Sequence, residues 1–220
     1  MSYFGEPRPD IARLVEPAGK RVLDVGCGEG ALAAALKEGG AERVVGIELD
    51  PEAAAVAQGR LDLVLEGDAA EVALDELPRD FDYLVFADSL EHMPDPERVL
   101  DRLLPLLRPG GRVIVSVPNM RFYAVLGRLL FDRWEYSESG VRDRTHLRVL
   151  TRRSLERMLV ERGLVIERLE RNYRLFDDQS QIGRTGALAT RFVQRVAGPM
   201  VFRDLLAYQF IAVARLARPR

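Results

Sequence analysis

Val22-Leu23-Asp24-Val25-Gly26-Cys27-Gly28-Glu29-Gly30 decides the reading of this chain. A short apolar run carries one acid, breaks into alternating glycines and passes at once into Ala31-Leu32-Ala33-Ala34-Ala35-Leu36-Lys37, a helical pattern. Strand, glycine turn and helix in that order make the geometry of a nucleoside-cofactor site. Glycines let a ligand touch backbone that a Cβ would shield. Asp24 sets the sign of the site. Two residues ahead of the first glycine, its carboxylate repels a pyrophosphate and welcomes a cationic ligand.

Outward from that turn, strand-like and helix-like runs alternate, the pattern of a sheet with helices on both faces. The spacing predicts a lead-in helix over 10–16, strands over 21–25, 43–48, 61–65, 81–87 and 112–117, and a helix from 29 to about 38 stopped by Gly39-Gly40. Asp50 and Pro51 are placed to cap and start the next helix. Pro94-Asp95-Pro96 opens a helix through Leu107, with Val99, Leu100, Leu103, Leu104 and Leu107 at helical spacing. Further on we expect a helix over 120–131, a polar loop over 134–147 and a helix capped by Thr151 and stopped by Gly163. A sixth strand over 164–173, an inserted helix at about 185–197 and a last strand over 205–214 complete the pattern. The expected fold is α/β: Rossmann-like, doubly wound, with a mostly parallel seven-stranded sheet and an antiparallel last strand. With no linker or repeat in view, residues 1–220 read as one domain, with a substrate-side lid at 119–150.

The 220 residues suit one domain with a sizeable core, and 47% hydrophobic with 30% charged residues excludes a disordered chain. A formal net charge of -2 argues against broad capture of nucleic acid. Cys27 is the only cysteine, so no intrachain disulfide can form, which fits a reducing cytoplasm. No signal peptide and no transmembrane run is visible. The expected location is cytoplasmic.

Four later segments join the first. Val45-Gly46-Ile47-Glu48 ends the second strand in an acid, Gly67-Asp68-Ala69 follows the third, Phe81 to His92 spans the fourth, and Leu107-Arg108-Pro109-Gly110-Gly111 turns into the fifth. In this order and approximate spacing, the five resemble the motifs of class I S-adenosylmethionine-dependent methyltransferases of the small-molecule type, over roughly residues 20 to 117. The resemblance implies S-adenosyl-L-methionine as cofactor. It implies that Asp24, Gly26, Cys27, Gly28 and Gly30 receive the amino-acid end, Glu48 and Leu49 the ribose side, Asp68 and Ala69 the adenine, and that Ala87 and Asp88 border the same site. The residues agree: an acid at a strand end can accept ribose hydroxyls, and Asp68 can accept from an adenine amino group while the Ala69 N–H donates. Cys27 reads as a small space-filler.

His92 and His146 are the only histidines. His92 follows the fourth strand at its carboxyl end, where ligands bind in such sheets. His146 lies in Arg142-Asp143-Arg144-Thr145-His146-Leu147-Arg148, a loop that resembles a substrate-side segment of small-molecule methyltransferases. Both are candidate catalytic bases, and each also reads as a structural histidine. The three arginines of that loop read as a solvated cluster or as an anion clamp. No metal ligand set is assigned. The acceptor is expected to be a small metabolite, a sugar or a lipid-linked intermediate, methylated on oxygen. Nucleic acid is not expected, since Ala87-Asp88-Ser89-Leu90 stands where amino-directed nucleic-acid methyltransferases carry Asn/Asp-Pro-Pro-aromatic. Basic and apolar stretches at 120–130 and 184–196 leave peripheral membrane contact open. The oligomeric state is left unassigned. Two other readings compete: an NAD(P)-dependent oxidoreductase, because Gly26 to Ala31 also fits Gly-x-Gly-x-x-Ala, and a non-catalytic interaction protein that retains the fold.

Overall fold

Seven strands lie in one sheet in the order β3-β2-β1-β4-β5-β7-β6 in a computed structural model, which describes residues 7–173 and 200–217. The strands are β1 (Arg21–Val25), β2 (Arg43–Glu48), β3 (Leu63–Glu66), β4 (Phe81–Ala87), β5 (Leu107–Pro118), β6 (Leu164–Tyr173) and β7 (Ala207–Leu216). The first five pair in parallel, and β7 runs antiparallel to both β5 and β6. This is the expected mostly parallel sheet with an antiparallel last strand. Chain order reverses between β1 and β4, so the crevice outside their carboxyl ends is the topological switch point.

The two-residue period of the strands divides the core into two layers. Leu23, Val25, Leu84, Phe86, Val113 and Val115 face one side, against Val99, Leu100 and Leu103 of α4 (Pro96–Leu103) and Leu155 and Leu159 of α6 (Arg152–Glu161). Val22, Val44, Tyr83, Val85 and Ile114 face the other. There they meet Ile11 of α1 (Pro9–Ala12), Leu32, Ala33 and Leu36 of α2 (Ala31–Glu38), and Ala54 and Ala57 of α3 (Pro51–Gln58). Asp50 caps α3 by accepting from the Glu52 and Ala53 N–H groups, and Thr151 caps α6 in a reciprocal box with Ser154.

Several boundaries differ from the sequence reading. The α4 helix stops at Leu103 and tightens to a 3-10 turn over Leu104–Leu106, because Pro105 has no N–H to continue it. The helix after β5, α5 (Tyr123–Leu130), begins late because Asn119 first holds a turn, its Oδ1 accepting from the Arg121 N–H. Strand β3 starts at Leu63, since Asp62 instead accepts the Val44 N–H at the edge of β2. The apolar run read as a strand from Leu205 opens as a helix, α7 (Met200–Leu206), and becomes β7 only at Ala207. Short apolar runs do not separate helix from strand by pattern alone. Tertiary bonds fix the change: Asn119 Nδ2 donates to the Asp204 and Ala207 carbonyls, and the buried Asp204 carboxylate pairs with Arg152 and Arg171 at 2.7 and 2.8 Å. The helix expected at 185–197 lies outside the described residues.

Candidate active site

The carboxyl ends of β1, β2, β4 and β5 open on a cavity of about 1090 Å³. Its floor is the turn after β1. Gly26 and Cys27 donate their N–H groups to the Ile47 carbonyl, and Gly26 and Gly28 take φ of +77° and +55°. A Cβ on Gly26 would stand 2.6 Å from the Ser89 Cβ, so glycine here lets the tip of β1 abut the loop after β4. Gly30 does not line the cavity. A Cβ there would meet Leu61 Cδ1 at 2.5 Å, which makes its role the packing of the start of α2.

Asp24, Gly26, Cys27, Gly28, Glu48, Leu49, Asp68, Ala69, Ala87, Asp88, His92 and His146 all border this one cavity. Asp24 is 1% exposed, and its Oδ1 has no hydrogen-bond partner in the structure. Burial, and then the charge of Glu48, push its carboxyl up to about 7. Glu48 is buried too. Its Oε2 accepts from the Gly28 N–H at 2.7 Å and its Oε1 from the Asp50 N–H at 2.9 Å, so it ties the glycine turn to the end of β2. Leu49 beside it is 68% exposed, an apolar side chain on the cavity rim. Asp68 Oδ1 holds its own turn through the Ala70 N–H. Burial, then Asp24, drive the Cys27 thiol far above its ordinary range, so it is an inert filler beneath Gly46.

The far end of the cavity is built from the 3-10 turn Leu90–His92 and the loop through His146. The Glu91 carbonyl accepts the Leu147 and Arg148 N–H groups at 2.8 and 2.9 Å, which draws that loop over the carboxyl end of β4. The two imidazoles meet edge to face with centroids 4.8 Å apart. His92 Nδ1 lies 3.2 Å from the Thr145 carbonyl and His146 Nδ1 lies 3.3 Å from the Val141 carbonyl. Burial, and then the neighbouring His92, lower the His146 pKa, so His146 is neutral near pH 7. Arg142, Arg144 and Arg148 do not converge into a clamp: they bond the Glu135 carbonyl, the Glu138 carboxylate and the Pro94 carbonyl respectively.

Several site residues carry no sequence motif. Arg8, just ahead of α1, lies over the strand ends and bonds Asp10, Asp88, Ser116 and Gln209. Asp88, at φ +55°, also accepts from Ser116 and Gln209, while Asn172 bridges Asp10 and Gln209. This network joins the first described residues to β4, β5, β6 and β7. Its members are far apart in the chain, which leaves no local pattern. Glu91 stood inside a quoted motif without a role, yet it is 1% exposed and both its oxygens lack partners.

A family described as a methyltransferase domain matches residues 2–169. The chain belongs to that family. This methyltransferase is 40% identical over 121 residues to a protein of Xylella fastidiosa named ubiquinone biosynthesis O-methyltransferase, over 53% of this chain and 49% of that one. It is 32% identical over 175 residues to a protein of that name from Aeromonas salmonicida, over 76% and 72%. The chain thus spans about half the length of the first relative and more of the second. Among solved structures it is similar to an S-adenosylmethionine-dependent methyltransferase from Mesorhizobium loti, with a TM-score of 0.64 at 21% identity over 96% of this chain and 98% of that one. Two solved structures described as S-adenosylmethionine-dependent methyltransferases share its fold at 21% identity. Neither the nicotinamide oxidoreductase nor the non-catalytic reading gains support from these matches.

Proposed function

We propose that this methyltransferase moves the methyl group to an oxygen of a small or lipid-linked metabolite. The donor sits at the Asp24–Glu48–Asp68 end of the cavity and the acceptor at the His92–His146 end. The observation that carries the reading is the single cavity joining these two sets of residues. The names of the two curated relatives support oxygen as the methylated atom. The cytoplasm is our placement, supported by one buried cysteine. Among the described residues no helix is long and apolar enough to cross a membrane.

The site chemistry fits this donor. When bound, S-adenosylmethionine supplies a methyl group already activated on a sulfonium, so no covalent enzyme nucleophile is needed. Asp24 holds a buried, unsatisfied carboxylate oxygen toward the cationic amino-acid end. Gly26 and Gly28 keep side chains away from it. Glu48 retains lone pairs for the ribose hydroxyls beyond its two backbone bonds, Asp68 and Ala69 face the adenine edge, and Leu49 offers apolar cover. At the acceptor end, a hydroxyl must lose its proton as the bond to carbon forms. The Glu91–His92–His146 group is the only set of titratable side chains we assign to that task. Residues 119–150 act as the acceptor-side lid, a role supported by the bonds that Leu147 and Arg148 make to Glu91. Exposed Leu129, Leu130 and Phe131 of that segment, beside exposed Arg128 and Arg133, support delivery of a lipid-linked acceptor from an anionic membrane surface.

Calorimetry with S-adenosylhomocysteine tests the donor end, and mass spectrometry for a gain of one methyl across a panel of hydroxylated metabolites tests the acceptor end. Tight binding of the product with methylation of a hydroxyl supports the reading. Methylation of nitrogen or carbon alone overturns its finer half.

A further inference from the structure

We propose that the Ser89 hydroxyl binds the methyl donor, its oxygen accepting a hydrogen bond from the ammonium group that Asp24 draws into the glycine turn. The inference deepens the function proposed above and rests on its placement of the donor's amino-acid end.

Ser89 stands at the N-cap of the 3-10 turn Leu90–His92. Serine in such a position ordinarily spends its side-chain oxygen on an N–H of the first turn. This one makes no side-chain cap bond; the turn is closed by the Ser89 carbonyl, which accepts the His92 N–H at 3.1 Å. The residue is 7% exposed, and its Oγ has no hydrogen-bond partner among the described residues. A buried hydroxyl left unsatisfied costs stability. Packing alone does not account for it, since alanine would fill the same place without that cost.

Its position supplies the reason. A Cβ on Gly26 would stand 2.6 Å from the Ser89 Cβ and 3.4 Å from its Oγ, so the serine side chain lies against the Gly26 Cα. Gly26 comes two residues after Asp24, whose Oδ1 is likewise buried without a partner, and all three residues border the one cavity. Two orphaned oxygens, one from β1 and one from the loop after β4, thus flank a single glycine. The other polar groups nearby are committed. The Gly26 N–H goes to the Ile47 carbonyl, and the Asp88 carboxylate to Arg8, Ser116 and Gln209.

A hydroxyl can donate or accept, and Asp24 decides which. Its carboxylate attracts an ammonium and repels a carboxylate, so the ligand group that reaches this turn brings N–H bonds and the serine oxygen accepts one. Anchoring the ammonium from two strand tips fixes the direction of the chain that carries the sulfonium. Ser89 therefore positions the donor and moves no proton.

The test compares the full wild-type chain with Ser89→Ala by calorimetry, using S-adenosylhomocysteine and 5′-methylthioadenosine. The second ligand keeps the adenosine and thioether but has neither ammonium nor carboxylate. Ser89→Ala should bind S-adenosylhomocysteine roughly tenfold more weakly and 5′-methylthioadenosine as the wild type does. Its ligand-free urea midpoint should equal or exceed that of the wild type, because no bond is lost. Undiminished affinity for S-adenosylhomocysteine, an equal loss for both ligands, or a lower midpoint overturns the assignment. Failure of the donor reading looks different: the wild type itself would then bind neither ligand, and the role of Ser89 would fall with that reading.

Discussion

Replacing Asp24 by Asn should make the ligand-free protein more stable and the donor complex much weaker. Asp24 is fully buried, and burial with the nearby Glu48 charge raises its carboxyl from an ordinary 3.8 to about 7. A raised carboxylate pKa means that the folded state holds a proton the unfolded chain has already released. That contribution to stability is complete below about pH 4, declines as pH rises and is gone above about pH 7. The gap between the two pKa values corresponds to ~4 kcal/mol, or about 1.4 kcal/mol per pH unit. Asn keeps the volume and removes the titration. Urea unfolding of both proteins from pH 5 to pH 8 should therefore show the variant gaining on the wild type as pH rises, then running parallel to it. Ligand binding reverses the sign. The ammonium group of S-adenosylhomocysteine favours ionised Asp24, so wild-type affinity for this product should rise up to roughly tenfold per pH unit below pH 7, with release of a proton. Calorimetry in buffers of different ionisation enthalpy measures that proton. Parallel unfolding profiles across the whole range, or wild-type affinity in the Asp24→Asn variant, would refute the reasoning.

Other outcomes follow from particular contacts. Glu48→Ala removes the acceptor of the Gly28 and Asp50 N–H groups, so urea unfolding should show a loss of ~2–4 kcal/mol as well as weaker donor binding. Gly26→Ala combines a φ of +77° with a Cβ 2.6 Å from that of Ser89; a loss of about 2–4 kcal/mol is expected, and wild-type stability would show that the turn is free to move. Arg8→Ala leaves Asp10 and Asp88 without their common cation, and thermal unfolding should register ~1–3 kcal/mol, with lower affinity for the donor product. Leu130→Asp with Phe131→Asp should reduce co-sedimentation with anionic vesicles and leave S-adenosylhomocysteine binding unchanged; undiminished sedimentation would move membrane contact away from this face.

Strand β1, strand β2 and strand β4 were legible to the residue because each is a β-rich run closed by glycine, proline or an acid. The acids at their ends were legible as site candidates for the same reason, since a parallel sheet brings successive strand tips to one edge. Glu48 shows the limit of that reading. The sequence presents it as a ribose acceptor, while the structure also gives it two backbone bonds, and its removal concerns folding as well as binding. Gly30 shows another limit: its spacing belongs to the glycine motif, but the group nearest its missing Cβ is Leu61. Arg8, Gln209 and Asn172 could not be read at all, because no local pattern connects an amino-terminal arginine with two amides on strands near the other end of the chain. The start of β7 was misplaced because Leu205 and Leu206 are as apolar as the strand that follows, and only Asn119 and the Asp204 ion pairs decide where the helix stops.

The antiparallel β7 lies between β5 and β6, and that order constrains how the molecule is assembled on the ribosome. Strand β6 leaves the exit tunnel first yet has no partner until β7 emerges, since its ladder runs to β7 alone among the described strands. Until then β5 presents a bare backbone edge, the kind of surface on which nascent chains pair wrongly. Gln209 and Asn172 arrive with the closing strands and complete the network in which Asp88 and Ser116 already hold Arg8 above the cavity. Synthesis halted before residue 207 would leave a five-stranded parallel sheet with the glycine turn formed and Arg8 held through Asp88 and Ser116 without Gln209, a species that chaperones and proteases would meet before any substrate did.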